Sequence, residues 1–200
     1  GGHQLIQVRD DGKGIPKNQL PLSIKRFHTS KISKLDDLFT ISTLGFRGEA
    51  LASISSVAHL SILSSNRSDE GAELSIVNGE LGELAPAAEI DGTQVTIRDL
   101  FYNTPARKKF LKTPRTEGRK IIDIVRKFGL SRPGIGFSLI ADGKKIIELF
   151  PEELDERIGS LFDNTYRENL IPIQISKADY TFFGYVGNLN LIRKRFGEQF

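Results

Sequence analysis

Two Asx-Gly dipeptides constrain this fold most. Asn78-Gly79 follows the β-like run Ala72–Val77, and Asp142-Gly143 lies between Ile135–Ile140 and Lys145–Leu149. A tight hairpin turn needs positive φ, which Asn, Asp and Gly accept more readily than other residues, so each dipeptide predicts antiparallel pairing. Parallel strands would instead need a long crossover between them. Further strands are predicted near Gln4–Val8, Leu60–Leu63 and Gln94–Ile97 from β-branched or alternating apolar residues. Helices are predicted from Pro16 to about Phe27, although Pro21 inside it works against one, and from Gly48 to about Ser56. A short helix is also predicted after Ser33, where Ser33-x-x-Asp36 has the form of a capping box. Another helix, Glu117–Leu130, would place Ile121, Ile124, Val125 and Phe128 on one face. Helices precede runs of hairpins instead of alternating with single strands. The predicted class is therefore α/β (α+β): a sandwich with helices on one face of a mixed, mainly antiparallel sheet.

Pro151 opens a second predicted unit with a helix from Glu152 to Phe162 and strands near Leu170–Ile175 and Tyr180–Val186. The predicted domains are residues 1–150 and 151–200. The chain has no cysteine, which excludes disulfides and thiolate metal sites. No apolar run is long enough to span a membrane, and no basic segment leads into an apolar signal sequence, so a cytoplasmic location is expected. Methionine is also absent and a strand begins almost at once, so the chain is expected to be a piece of a longer protein.

Gly45-Phe46-Arg47-Gly48-Glu49-Ala50-Leu51 carries chemistry for an anion. Glycines let backbone N–H groups approach a ligand closely, a helix start presents unpaired N–H groups, and an arginine offers a bidentate phosphate contact. The alternative is a glycine-bounded loop that caps a core helix. No Walker A pattern occurs anywhere in the chain. Upstream, Asp10-x-Gly12-x-Gly14 sets a carboxylate at a turn, where it can accept from a ligand amine, while the glycines leave room for a flat ring. An ordinary polar turn is the alternative here. A third piece, Asp91-Gly92-Thr93, leads into a strand.

These pieces, in this order, resemble the GHKL ATPase clan, which includes gyrase, the large heat-shock chaperone and histidine kinases. Within it, three runs are similar to signatures of MutL-type DNA mismatch repair proteins. They are His28-Thr29-Ser30-Lys31-Ile32, Leu44-Gly45-Phe46-Arg47-Gly48-Glu49-Ala50-Leu51-Ala52-Ser53-Ile54 and Asp99-Leu100-Phe101-Tyr102-Asn103-Thr104-Pro105-Ala106-Arg107-Lys108-Lys109-Phe110-Leu111. The resemblance covers nearly the whole chain and is diffuse after about Ile135. It implies a GHKL-type sandwich followed by part of a ribosomal S5-like domain.

The resemblance also implies roles. Asp10 would bind the adenine amino group of ATP, with Gly12 and Gly14 shaping the pocket floor and Thr93 supporting the base through water. Gly45, Phe46, Arg47 and Gly48 would contact phosphates, and Thr29, Ser30 and Lys31 would lie in a lid. The family's glutamate base and the asparagine that holds Mg²⁺ are expected upstream of Gly1, and a catalytic lysine downstream of Phe200. No catalytic residue and no metal ligand is therefore assigned within the chain, which is expected to be inactive alone. In the family, ATP closes the lid and joins two N-terminal domains. That event links a mismatch-recognition protein to a downstream repair nuclease or helicase.

Charge adds a further candidate. Residues 101–200 carry 18 basic against 12 acidic residues, whereas residues 1–100 carry 10 against 13, so the surplus lies in the second half. It concentrates from Arg107 to Arg132, where Arg107, Lys108, Lys109, Lys112 and Arg115 are candidate DNA-binding residues. A solvated helix face is the alternative. A second class of function also remains open: a non-catalytic DNA- or partner-binding module with a vestigial nucleotide site. His3, His28 and His59 are too scattered for a metal site.

Overall fold

A computed structural model of the chain describes residues 1–32, 34, 36–37, 43, 45, 47–66 and 70–191. These group into two compact units, one from Gly2 to Pro114 and one from Arg115 onward.

The first unit is built on five strands: β1 (Leu5–Asp10), β2 (His59–Ser65), β3 (Gly71–Val77), β4 (Glu80–Ala87) and β5 (Gly92–Arg98). Their order is β1-β5-β2-β3-β4, and each neighbouring pair is antiparallel. Side chains alternate between faces along a strand, so register sorts them into rows. One row is Ile6–Ile97–Leu60–Ile76, and the next is Val8–Val95–Ile62–Leu74. Leu20 and Ile24 pack on this face, joined by Leu51 and Ile54. The last two come from α1 (Ala50–Ser55). Each fully buried aliphatic side chain contributes roughly 1.5–3 kcal/mol from the water it leaves. The opposite face carries the polar row Gln7–Thr96–Ser61–Ser75.

The expected sandwich is present, with two local differences. Residues 17–22 form a 3-10 helix instead of the α-helix predicted to Phe27, with Pro21 inside it. A proline in a helix removes an N–H and clashes with the preceding turn. The second strand of the Asn78-Gly79 hairpin, β4, has no β-like pattern, since Glu80–Ala87 is rich in Gly, Ala and Glu and contains Pro86. It is the sheet's outer strand, where proline is tolerated. The Ser33-x-x-Asp36 cap involves Ser33, which lies outside the described residues.

The first unit also contains α2 (Pro105–Phe110), whose proline occupies a first-turn position. α3 (Pro114–Ser131) runs into the second unit. There it is followed by the hairpin β6 (Phe137–Ala141) and β7 (Lys144–Leu149), then α4 (Leu154–Leu161), α5 (Asn164–Glu168) and the hairpin β8 (Leu170–Lys177) and β9 (Tyr180–Gly187). On α3, Ile121 and Val125 are partly buried, but Ile124 and Phe128 are exposed, so the packed face is narrower than predicted. α5 was not predicted; Asp163 caps it by accepting from the Tyr166 N–H.

The two compact units divide between Pro114 and Arg115. Arg157 lies beyond Pro151 and is fully buried, yet it donates to the carbonyls of Gly129, Pro133, Ile135 and Phe150 on the other side.

Candidate functional site

The core face of the first unit changes character at one end. After two apolar rows the third reads Asp10–Thr93–Ser64–Ala72. Ser64 and Thr93 are buried, and their hydroxyl oxygens are 2.9 Å apart. Ser64 Oγ also donates to the Gly92 carbonyl at 2.9 Å and accepts from the Ile15 N–H at 2.8 Å. A buried hydroxyl is costly unless paired, and this one is paired on every side. The end of β2 thereby holds the loop after Asp10 and the start of β5.

Asp10 ends β1, and its side chain is exposed. Its Oδ1 accepts from the Gly12 N–H at 2.9 Å, the form of an Asx turn. That bond orients the carboxylate and leaves Oδ2 to accept from a ligand. A Cβ on Gly12 would stand 2.8 Å from Oδ1 and disturb this orientation. Gly14 has φ +69°, and a Cβ there would lie 1.9 Å from the Ser65 carbonyl oxygen, so only glycine allows this approach. Ser65 in turn pins the facing loop, accepting from the Ile90 N–H at 3.0 Å and donating to the Ile90 carbonyl. The result is a glycine-walled turn beside two oxygens, Asp10 Oδ2 and Thr93 Oγ1, on one sheet face. Such a pair of acceptors suits a flat ligand edge that carries N–H groups.

A second cluster joins two of the predicted segments. Gly48 has φ +63°, and a Cβ on it would meet the His28 carbonyl oxygen at 2.1 Å. The Phe27 N–H donates to the Gly48 carbonyl at 3.1 Å. The backbone leading into Thr29, Ser30 and Lys31 therefore lies directly against Gly48. Within that segment the Lys31 N–H donates to Thr29 Oγ1 at 3.2 Å, and Thr43 Oγ1 donates to the Gly45 carbonyl at 3.1 Å. Arg47 is exposed. Phe46 lies outside the described residues. α1 follows, only six residues long, and Glu49 at its start makes no side-chain capping bond.

The basic candidates divide between the units. Arg107, Lys108 and Lys109 are exposed in the last turn of α2, where positive charge also complements the helix dipole. Lys112 follows in the same unit, while Arg115 lies in the first turn of α3 in the other. Phe110, 83% exposed, continues the same helix. Among the described residues there is no group of three or more His, Asp or Glu side chains that could hold a metal.

Two functional features escaped sequence reasoning. Ser64 is the first; its signal was available, because the inward period-2 positions Leu60 and Ile62 continue to a polar residue at Ser64. The second is a latch made by the run after β5. Asp99 and Phe101 both have positive φ, the Phe101 N–H donates to the Val57 carbonyl at 2.7 Å, and Asn103 Nδ2 donates to Ser56 O at 2.9 Å and Asn78 Oδ1 at 3.0 Å. Tyr102 stacks on His59 at 4.1 Å and donates its hydroxyl to Asn78 Oδ1 at 2.5 Å. This run thus fixes the C-terminal end of α1, the helix that leaves the Gly45–Gly48 loop.

Known proteins bear on this geometry. No family model matches the chain. It is 43% identical over 187 residues to the DNA mismatch repair protein MutL of Dictyoglomus thermophilum, an alignment that covers 93% of this chain and 32% of that protein. The MutL of Porphyromonas gingivalis is 39% identical over 200 residues, covering 100% of this chain and 32% of the relative. Among solved structures, the Aquifex aeolicus MutL ATPase domain complexed with ADP superposes with a TM-score of 0.64 at 28% identity, over 86% of this chain and 60% of that one. The chain spans about a third of the length of the curated relatives it matches.

Proposed function

The chain belongs to the MutL family of DNA mismatch repair proteins, and from that premise we propose that it forms the nucleotide-binding part of an ATPase that acts in mismatch repair. One observation carries this reading: Asp10, Thr93 and Ser64 form a polar row at the end of an otherwise apolar sheet face, walled by glycines that admit no side chain. Asp10 Oδ2 accepts from the adenine amino group, Gly12 and Gly14 leave room for the ring, and Thr93 completes the base site through water. Gly45, Phe46, Arg47 and Gly48 contact the phosphates. Thr29, Ser30 and Lys31, which leave His28 beside Gly48, belong to the lid.

ATP, when bound, supplies the γ-phosphate that draws the lid closed and the two N-terminal domains together as a dimer. None of the described residues is assigned as the hydrolytic base, and Mg²⁺ belongs to the site of the whole protein. Residues 1–150 form the ATPase domain in this reading, and residues 151–200 open the S5-like domain. Arg107, Lys108, Lys109, Lys112 and Arg115 hold DNA through its phosphates, without sequence preference. The whole protein acts in the bacterial cytoplasm at the nucleoid. There it passes the signal of a mismatch-recognition protein to a repair nuclease or helicase.

Equilibrium binding of a fluorescent ATP analogue to the full-length protein tests this, together with its ATP hydrolysis. Saturable binding competed by ATP is the outcome this reading requires; absence of both binding and turnover refutes it.

A further inference from the structure

Hydrogen-bond valence at Ser64 fixes the polarity of the site. A serine hydroxyl has one proton and two lone-pair sites. Ser64 Oγ has three close partners: the Ile15 N–H at 2.8 Å, the Gly92 carbonyl at 2.9 Å and Thr93 Oγ1 at 2.9 Å. The Ile15 amide can only donate and the Gly92 carbonyl can only accept. The single Ser64 proton therefore goes to Gly92, and the oxygen left to Thr93 can only accept. The reverse assignment, with Ser64 donating to Thr93, would leave two lone pairs facing each other across 2.9 Å in a buried place. Only one arrangement satisfies all four groups, and in it the Thr93 proton is spent on Ser64.

From this we infer that Ser64 is a specificity-determining residue, because it forces Thr93 to present lone pairs alone toward the ligand. The inference rests on the nucleotide reading above and deepens it. Asp10 is an acceptor by nature, with Oδ1 already taken by the Gly12 N–H. With Thr93 made an acceptor too, the row Asp10–Thr93–Ser64 offers a base two acceptors and no hydroxyl donor. A 6-amino purine meets this with two N–H groups, either directly or through a water that turns a proton toward Thr93. A 6-oxo purine keeps one N–H, at N1, for a site acceptor, but its O6 is a further acceptor at the same edge, and the row Asp10–Thr93–Ser64 turns no hydroxyl donor toward it. Ser64 touches no ligand itself; it acts through the direction of the Thr93 hydroxyl.

Removing the Ser64 oxygen returns the proton to Thr93, which then donates to an oxo group. The experiment compares ATP with ITP, whose bases differ in amino against oxo at position 6 and in acceptor against N–H at N1, as dissociation constants for the full-length protein and for Ser64→Ala. A ratio of two affinities reports the folded fraction alone, so partial destabilisation does not imitate the effect. The wild type should prefer ATP. In Ser64→Ala the ATP:ITP preference should fall by about five- to tenfold, the scale of one polar contact. Ser64→Thr keeps the hydroxyl and should retain the preference. If Ser64→Ala does not fold, Ser64→Cys carries the test, since its weakly accepting thiol should also lower the ratio. A ratio unchanged in the variant that folds, or a wild type that binds both nucleotides equally, overturns the role of Ser64 while leaving a nucleotide site. A wild type that binds neither overturns the nucleotide reading and this inference with it.

Discussion

Arg157 Nε donates to Glu152 Oε1 at 2.7 Å in a place where the arginine side chain is wholly out of solvent. The rest of the guanidinium is spent on backbone: Nη1 on Gly129 O at 2.7 Å, and Nη2 on Pro133 O, Ile135 O and Phe150 O at 2.7, 3.0 and 2.6 Å. One side chain thus joins the end of α3, the loop after it, the end of β7 and the approach to α4. Glu152 is itself held by Ser160 Oγ at 2.9 Å. Removing one partner of a buried pair leaves the other charge, and here four carbonyls, without a donor. Arg157→Ala should therefore lower stability by about 3–5 kcal/mol. Urea unfolding followed by circular dichroism measures this, and a loss under 1 kcal/mol would show that the cluster finds other partners.

Asp10→Asn tests the base site with little change of shape. The amide can keep the Asx turn by accepting from Gly12 through its oxygen, but it turns an NH₂ toward the ligand amine in place of an oxygen. ATP affinity should fall by roughly 10- to 100-fold with the thermal midpoint nearly unchanged, because Asp10 is exposed. Calorimetric titration with ATP, beside a melting curve, distinguishes a lost contact from a lost fold.

How far the sequence already contained this structure depends on which forces decide each part. The strands β1, β2, β3 and β5 were legible because a half-buried strand must alternate, and Ile6, Leu60, Ile62, Leu74 and Ile97 do so. β4 was not legible: its residues have weak β preference, and it forms because Asn78-Gly79 turns it back onto β3. The glycine-walled turn at Asp10 is legible from its spacing, whereas the partners of Ser64 are not. Ser64 sits 49 residues from Ile15 and 28 from Gly92, and only strand register brings them together. The positive φ of Phe101 could not be foreseen, since a bulky side chain argues against that region until tertiary bonds to Val57 impose it.

Gly14→Ala asks whether the turn after Asp10 tolerates any side chain. A methyl group would sit 1.9 Å from the Ser65 carbonyl oxygen, a backbone atom, and φ +69° adds strain of its own. The loop must move away from the end of β2, which breaks the Ile15 to Ser64 bond and reorients Asp10. Stability should drop by about 2 kcal/mol or more and ATP affinity should fall with it. Gly134→Ala is the comparison, because a Cβ there meets nothing within 4 Å and the residue lies outside the nucleotide site. An equal effect of the two substitutions would refute the steric account of Gly14.

The basic end of α2 makes a prediction about salt. Arg107, Lys108 and Lys109 are exposed and consecutive, so they project over a broad arc of the helix and not onto one narrow stripe. That arrangement suits a backbone contact that reads charge, not base identity. If all three meet phosphates, each releases about one counterion, and replacing them with alanine should reduce the slope of log K against log salt by about 2–3. The loss should be equal for duplexes of unrelated sequence, and Lys120→Ala should change little, because Lys120 already pairs with Glu117 at 3.2 Å. Fluorescence anisotropy of labelled duplex DNA across 50–200 mM salt, about the range over which such contacts are usually read, provides the slope. A triple variant with an unchanged slope would mean that these residues serve the α2 dipole alone and that DNA is held elsewhere.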